Sequence, residues 1–151
     1  MIAIIQRVLN ARVTADGFLS GRADKGLLIL LGVVDGDGEE QAELLAKKTA
    51  NLRIFCDEND KMNLSLLDID GDALVVSNFT LAADVRKGNR PSFTSAAAPD
   101  TAEQLYELYC RKLKENGVKS VETGKFGADM QITMTADGPV TITLDTDIWM
   151  K

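Results

Sequence analysis

Histidine is absent from all 151 residues of this chain, and that absence excludes more chemistry than any other feature of the sequence. Without imidazole there is no Ser–His or Cys–His couple, and most catalytic zinc sites lose their ligands. Cysteine is nearly as scarce. Cys56 and Cys110 are too few for a disulfide framework and lack metal-ligand spacing. Cys110 falls on the apolar side of a predicted helix and reads as a small core residue. No apolar run approaches the roughly 20 residues that span a bilayer; the longest is Leu27–Val34. No basic leader or cleavage site precedes the first strand pattern, so a soluble cytoplasmic protein without membrane attachment is expected. Positive charge is also short, with 17 Lys and Arg against 23 Asp and Glu and a net charge of −6. That balance argues against a protein that coats nucleic acid non-specifically, since such binding works by neutralising phosphates. A local patch is still allowed, and Arg86, Lys87 and Arg90 form the densest basic cluster. Repeats, low-complexity tracts and Pro/Ser-rich linkers are missing, so residues 1–151 read as a single domain.

What is present is patterning. Alternating, β-branched residues from Ile2 to Thr14, a turn at Asp16-Gly17 and a return through Phe18–Arg22 predict a hairpin. Leu27–Val34 is a continuous apolar strand of the kind covered on both faces. Asp37 with Glu40 makes a capping-box signal for a first helix, whose early Glu39, Glu40 and Glu43 and late Lys47 and Lys48 suit the macrodipole. Arg53–Cys56 reads as a short strand, Glu58–Lys61 as a turn and Ala73–Phe79 as a second buried strand. Asp100 with Glu103 caps a second helix, in which Ala102, Leu105, Tyr106, Tyr109 and Leu113 repeat at helical spacing before Gly117. The last third reads as a hairpin, with Met130–Thr135 alternating, a corner at Asp137-Gly138-Pro139 and the pattern resuming through Val140–Asp145. These elements predict an α+β domain with a largely antiparallel, barrel-like sheet and two main helices. Both Leu27–Val34 and Leu74–Val76 want cover on two faces, which two helices cannot supply. A homodimer is therefore expected to complete the core.

With histidine gone, the chemistry falls to hydroxyls, amides and the backbone. Asp68, Asp70 and Asp72 lack the spacing and closing glutamate of a calcium loop and read as a solvated turn. Gly-rich phosphate loops of standard spacing are absent, and no cofactor or metal is expected. Ser77 and Thr80 flank Asn78 and Phe79 where a buried strand runs out into a loop. Backbone N–H groups there can aim at a developing oxyanion, each such donor being worth roughly 3 kcal/mol; equally, the hydroxyls of a strand end can merely satisfy nearby carbonyls. Thr80 is a positioning residue or a nucleophile, but it has no evident base. Gly138-Pro139 is either a plain turn or, if cis, a rigid edge of two carbonyls.

Ser77-Asn78-Phe79-Thr80-Leu81, Gly88-Asn89-Arg90-Pro91-Ser92-Phe93, Gly124-Lys125-Phe126-Gly127-Ala128-Asp129-Met130 and Gly138-Pro139-Val140-Thr141 together resemble the D-aminoacyl-tRNA deacylases. The similarity runs from Ile2 to the last strand. The family motif has glutamine where this chain has Asn78, which shortens the amide by one methylene. The resemblance implies hydrolysis of the ester linking a D-amino acid, or glycine on a mischarged tRNA, to the terminal adenosine of tRNA, with L-aminoacyl-tRNA rejected as a form of translational proofreading. It implies a dimer in which a cis Gly138-Pro139 enters the partner's active site, with Arg7 fixing that geometry. It also implies that Phe126 and Met130 line the adenosine pocket, with Ser77, Asn78, Phe79 and Thr80 at the ester. The acceptor end of tRNA is the implied partner, with Arg86, Lys87 and Arg90 as weak candidates for contacting it. Two other classes fit the residues: a non-catalytic dimeric module that binds RNA ends, and a small esterase with Thr80 as covalent nucleophile.

Overall fold

In the computed structural model, which describes residues 1–150, a long first strand organises the rest. β1 (Ile2–Ala15) turns through Asp16 and Gly17 into β2 (Phe18–Ala23). Both turn residues have positive φ, 53° and 82°, as a type I′ hairpin turn requires. β1 pairs antiparallel with β3 (Gly26–Gly32) along its first half and with β2 along its second, and β8 (Met130–Asp145) covers its other edge. β6 (Asp72–Ser77) lies parallel to β3, and β7 (Ser120–Thr123) lies parallel to β6. The sheet is therefore mixed, antiparallel around β1 as strand patterning suggested and parallel from β3 through β6 to β7. Parallel neighbours need long crossovers. α1 (Glu39–Asn51) lies within the β3–β6 connection, and α2 (Pro99–Glu115) within the β6–β7 connection. β2 comes back beside β7, where the Ser20 hydroxyl donates to the Thr123 carbonyl at 2.9 Å. The sheet thus nearly closes into a barrel.

Alternation along the central strands divides the core in two. Leu27, Ile29 and Leu31 of β3, with Ala73 and Val75 of β6, pack under α1 and α2. Leu28, Leu74 and Val76 face the other way, against Val8, Ala11, Val13 and Ala23 of the curled β1–β2 hairpin. The second face is therefore covered largely by the chain itself, and the shortage of cover that suggested a second subunit is mostly met by this curl.

Several local expectations change. β8 is one strand, with no hairpin: both of its halves pair with β1, so the chain never reverses. Between the pairs Gln6↔Thr141 and Val8↔Ala136, the stretch Asp137–Val140 stands opposite Arg7 alone and bulges outward. The Gly138–Pro139 peptide is cis. α1 begins one residue later than Asp37 suggested. Gly38 is its N-cap, with the Gln41 Oε1 accepting from Gly38 N at 2.9 Å. Asp37 instead accepts from Val34 N at 2.8 Å and lies 2.7 Å from the Met1 nitrogen. α2 starts at Pro99 after Ala98, so Asp100 sits in its first turn and does not cap it. A proline at the first helical position needs no N–H there. Asp68, Asp70 and Asp72 form no cluster. Asp68 accepts from Ser65 N and Asp72 from Asp24 N, while Asp70 pairs with Lys119. β4 (Phe55–Cys56) takes up the end of the short strand expected at Arg53–Cys56 and pairs with β5 (Met62–Leu64). β5, β7 and α3 (Thr146–Trp149) were not evident from patterning; each is only three or four residues long.

Candidate active site

At the end of β6 the chain passes Ser77 and bends into a 3₁₀ turn, Phe79–Ala82. The bend is tied to the sheet by Asn78 N, which donates to the Leu31 carbonyl at 2.8 Å. The turn lies so close to β3 that a Cβ on Gly32 would sit 2.8 Å from the Leu81 Cβ and 3.1 Å from the Asn78 carbonyl oxygen. Asn78 Oδ1 accepts from Thr80 N at 3.2 Å and also from the Thr80 hydroxyl. Because the backbone N–H can only donate, this contact fixes which end of the Asn78 amide is oxygen. Its Nδ2 is then left without a protein acceptor among the described residues. The Phe79 and Thr80 N–H groups, the candidate oxyanion donors, differ in their dependence on the Asn78 side chain. The Thr80 N–H is held by it, while the Phe79 N–H has no acceptor among the described residues.

Ser77, Asn78, Phe79 and Thr80 form one wall of a cavity of about 620 Å³, and Phe126 and Met130 stand on another. Residues separated by some fifty positions are thus brought together. The cavity opens at the carboxyl ends of the parallel strands β3 and β6, the usual ligand position in such sheets. Pro99 and Ala102 line it too, so the positive end of the α2 dipole favours negative charge developing there. Tyr106, which helical spacing assigned to the core, is also a wall residue. Its hydroxyl donates to the Val75 carbonyl at 2.8 Å and its ring centroid lies 5.8 Å from that of Phe126. Burial pushes the Tyr106 phenol well above its ordinary range, so the ring is a neutral strut that backs Phe126. Nothing in the sequence distinguishes Tyr106 from its equally spaced neighbour Tyr109, whose hydroxyl donates to Thr49 Oγ1 in the core.

Gly138 and Pro139 are exposed and lie outside this cavity. Arg7, only 8% exposed, fixes the bulge that carries them. Its Nε donates to the Asp137 carbonyl at 3.2 Å and lies 3.2 Å from Asp137 Oδ2, while Nη1 donates to the Ile54 carbonyl at 2.7 Å. A Cβ on Gly138 would meet Val140 N at 2.8 Å and Arg7 Nη2 at 3.2 Å. With φ at +123° as well, glycine is required there.

The basic loop stands beside the motif. Phe93 packs edge-on against Phe79, centroids 5.1 Å apart, and Asp84 bridges Ser92 across the loop neck. Arg86 forks onto Asp84 at 2.9 and 2.7 Å, and this contact holds the Asp84 carboxyl at about 2. One charge of the cluster is thereby neutralised, while Lys87 and Arg90 remain exposed. Among the described residues no cluster of His, Cys, Asp and Glu could hold a metal ion, and no helix is long and apolar enough to cross a membrane.

This architecture and this sequence have close counterparts. Residues 4–145 match the family model described as D-Tyr-tRNA(Tyr) deacylase. A D-aminoacyl-tRNA deacylase of Ruegeria pomeroyi is 57% identical over 96% of this chain and 99% of its own length. One from Thermosipho africanus is 54% identical over 96% of this chain and 97% of its own. Among solved structures, the c-Myc DNA Unwinding Element Binding Protein superposes with a TM-score of 0.90 at 38% identity, covering 96% of this chain and 98% of that one. A probable eukaryotic D-amino acid tRNA deacylase shares the fold, with a TM-score of 0.81 at 17% identity over 95% and 97% of the two chains.

Proposed function

This chain belongs to the D-Tyr-tRNA(Tyr) deacylase family, and from that premise we propose a reaction carried by its backbone and amides. The protein hydrolyses the ester of D-aminoacyl-tRNA to free amino acid and tRNA. Glycine mischarged on tRNA-Ala is a second substrate, and L-aminoacyl-tRNA is rejected. The observation that carries the mechanism is the unsatisfied Phe79 N–H at the wall of the cavity. A donor held there by the Asn78–Leu31 tie needs no reorganisation when the ester carbonyl becomes an oxyanion. Asn78 Nδ2 is a second donor, aimed by the commitment of its oxygen to Thr80. Phe126, braced by Tyr106, offers a flat apolar face to the terminal adenine. The ester is activated and the neighbouring ribose hydroxyl can assist, so positioning and oxyanion stabilisation suffice.

Thr80 is not the nucleophile in this reading. Its hydroxyl proton points at an amide oxygen, which cannot act as a general base. The acting unit is a homodimer working in the cytoplasm. Gly138 and Pro139 project from one subunit and reach the cavity of the other, excluding L-substituents. Two features support the pairing. The corner is clamped by Arg7 yet lies outside the candidate cavity of its own chain. Ile132 and Met134 of β8 are 38% and 43% exposed beside the second core, an apolar strip that a partner would cover. Incubation with D-Tyr-tRNA and L-Tyr-tRNA tests the reading: the D-ester is lost and the L-ester survives. Hydrolysis of neither would leave a binding module, and equal hydrolysis of both would leave an unselective esterase.

A further inference from the structure

We propose that the outer face of the β1–β2 hairpin docks the phosphodiester backbone of the tRNA substrate, with Arg12 and Arg22 as its anion-binding pair. The inference rests on the deacylase reading and adds the surface that holds the body of the substrate. Arg12 and Arg22 are direct partners across the antiparallel ladder, so their side chains leave the same face together. Like charges in that relation repel and destabilise the sheet. Neither guanidinium is compensated well: Arg12 makes no ion pair among the described residues, and Arg22 reaches Asp24 only at 3.9 Å with both side chains exposed, while the Glu122 carboxylate accepts from the Arg22 backbone N at 3.2 Å and forms no ion pair with either guanidinium. In a chain of net charge −6, an uncompensated cationic pair stands against the composition.

The two guanidinium groups border a groove of about 760 Å³, shared with the hydrogen-bonding side chains of Asn10, Thr14 and Thr133, where Asp24 is the one acid. Guanidinium forks match phosphate oxygens in a way that a lone lysine does not. The groove and the active site are neighbours round the hairpin tip. Met130 lines the catalytic cavity and Thr133 the groove, three residues apart on β8 and so on opposite faces of that strand. Ala15 pairs with Met130, and Gly17 of the tip lines the groove. An RNA whose 3′ end occupies the cavity can reach this face by passing round the tip of the β1–β2 hairpin.

The test pairs Arg12→Gln/Arg22→Gln with two substrates and one binding measurement. On D-Tyr-tRNA, KM rises about tenfold with kcat unchanged. On D-tyrosyl-adenosine, which has no phosphodiester, both constants stay at the wild-type values. The negative slope of log kcat/KM against log salt on tRNA shrinks by about one to two, since each lost phosphate contact removes roughly 0.7–0.9. Removal of the repulsion keeps the melting temperature at or above that of the wild type, and Arg12→Lys/Arg22→Lys, which restores the charge without the fork, recovers only part of the tRNA affinity. Binding of uncharged tRNA, followed by fluorescence anisotropy, reads the groove without catalysis and weakens about tenfold in the glutamine variant. Equal tRNA binding by wild type and variant, or equal losses on both esters, overturns the proposal. A wild-type protein that binds tRNA through these arginines yet cleaves no D-ester overturns the deacylase reading alone.

Discussion

At the residue scale, the geometry of the candidate site rests on Asn78 and Gly32. Asn78 takes both donors of Thr80, which makes Thr80 part of the turn. Thr80→Ala should therefore retain a measurable single-turnover rate on D-Tyr-tRNA, reduced by about ten- to a hundredfold, or 1.4–2.7 kcal/mol. Complete loss in a folded variant would mark Thr80 as a covalent nucleophile. Gly32 matters because the motif turn packs within 3 Å of where its Cβ would be, on backbone-anchored atoms that cannot easily yield. Gly32→Ala should displace the Phe79 N–H and lower kcat by about a hundredfold, consistent with loss of one oxyanion donor. KM for the tRNA should stay within a factor of three. A wild-type kcat would show that the turn tolerates the shift.

The element scale concerns how strands and helices hold these groups. The bulge in β8 is held at its base by Arg7, a buried guanidinium that also satisfies the Ile54 carbonyl. Arg7→Ala leaves those acceptors without a donor, a loss of about 3 kcal/mol in unfolding free energy by denaturant titration. If the clamp sets the selective edge, the D/L ratio of kcat/KM should also fall at least tenfold. A destabilised variant with intact selectivity would separate the bulge from chirality. On α2, burial pushes the Cys110 thiol up to about 12, so it is almost wholly protonated at neutral pH and the thiolate that reacts is scarce. Iodoacetamide at pH 8 should add once to the native protein, at the exposed Cys56, and twice after unfolding. Mass spectrometry of the two reactions checks this, and rapid native labelling of Cys110 would contradict it.

The molecule as a whole is a nearly closed barrel whose long edge strand, β8, remains open on one side. Ile132 and Met134 are exposed apolar groups on that strand. Charging both, as Ile132→Lys/Met134→Lys, should convert the proposed dimer to a monomer in light scattering while the circular dichroism is unchanged. Deacylation should drop at least a hundredfold, because each cavity would lose the Gly138-Pro139 corner of its partner. A monomer that keeps both rate and D/L preference would show that one chain holds the whole site.

Sequence alone determined whatever depends on neighbouring residues. Asp16-Gly17 dictates its turn because few residues adopt positive φ in succession. Leu27–Val34 reads as a strand buried on both faces because its apolar run is unbroken, and β3 follows it as far as Gly32. The helical repeat through Leu105, Tyr109 and Leu113 marks α2. The missing histidine by itself narrows the chemistry to hydroxyls, amides and the backbone. Tertiary structure decided which edges meet. Alternation looks the same on either side of Asp137-Gly138-Pro139 whether the chain reverses or bulges, and only the shared partner β1 separates the two. Parallel pairing of β6 with β3 and β7 leaves no local trace, because strand direction is set by crossovers dozens of residues long. The same holds for the site. Ser77–Thr80 and Phe126–Met130 become one cavity only through α2 and β7, and the Asn78 bond to the Thr80 N–H appears only once the backbone bends at the end of β6. Periodicity reports which face a residue takes, but the partner across that face is chosen by the packing of the whole chain.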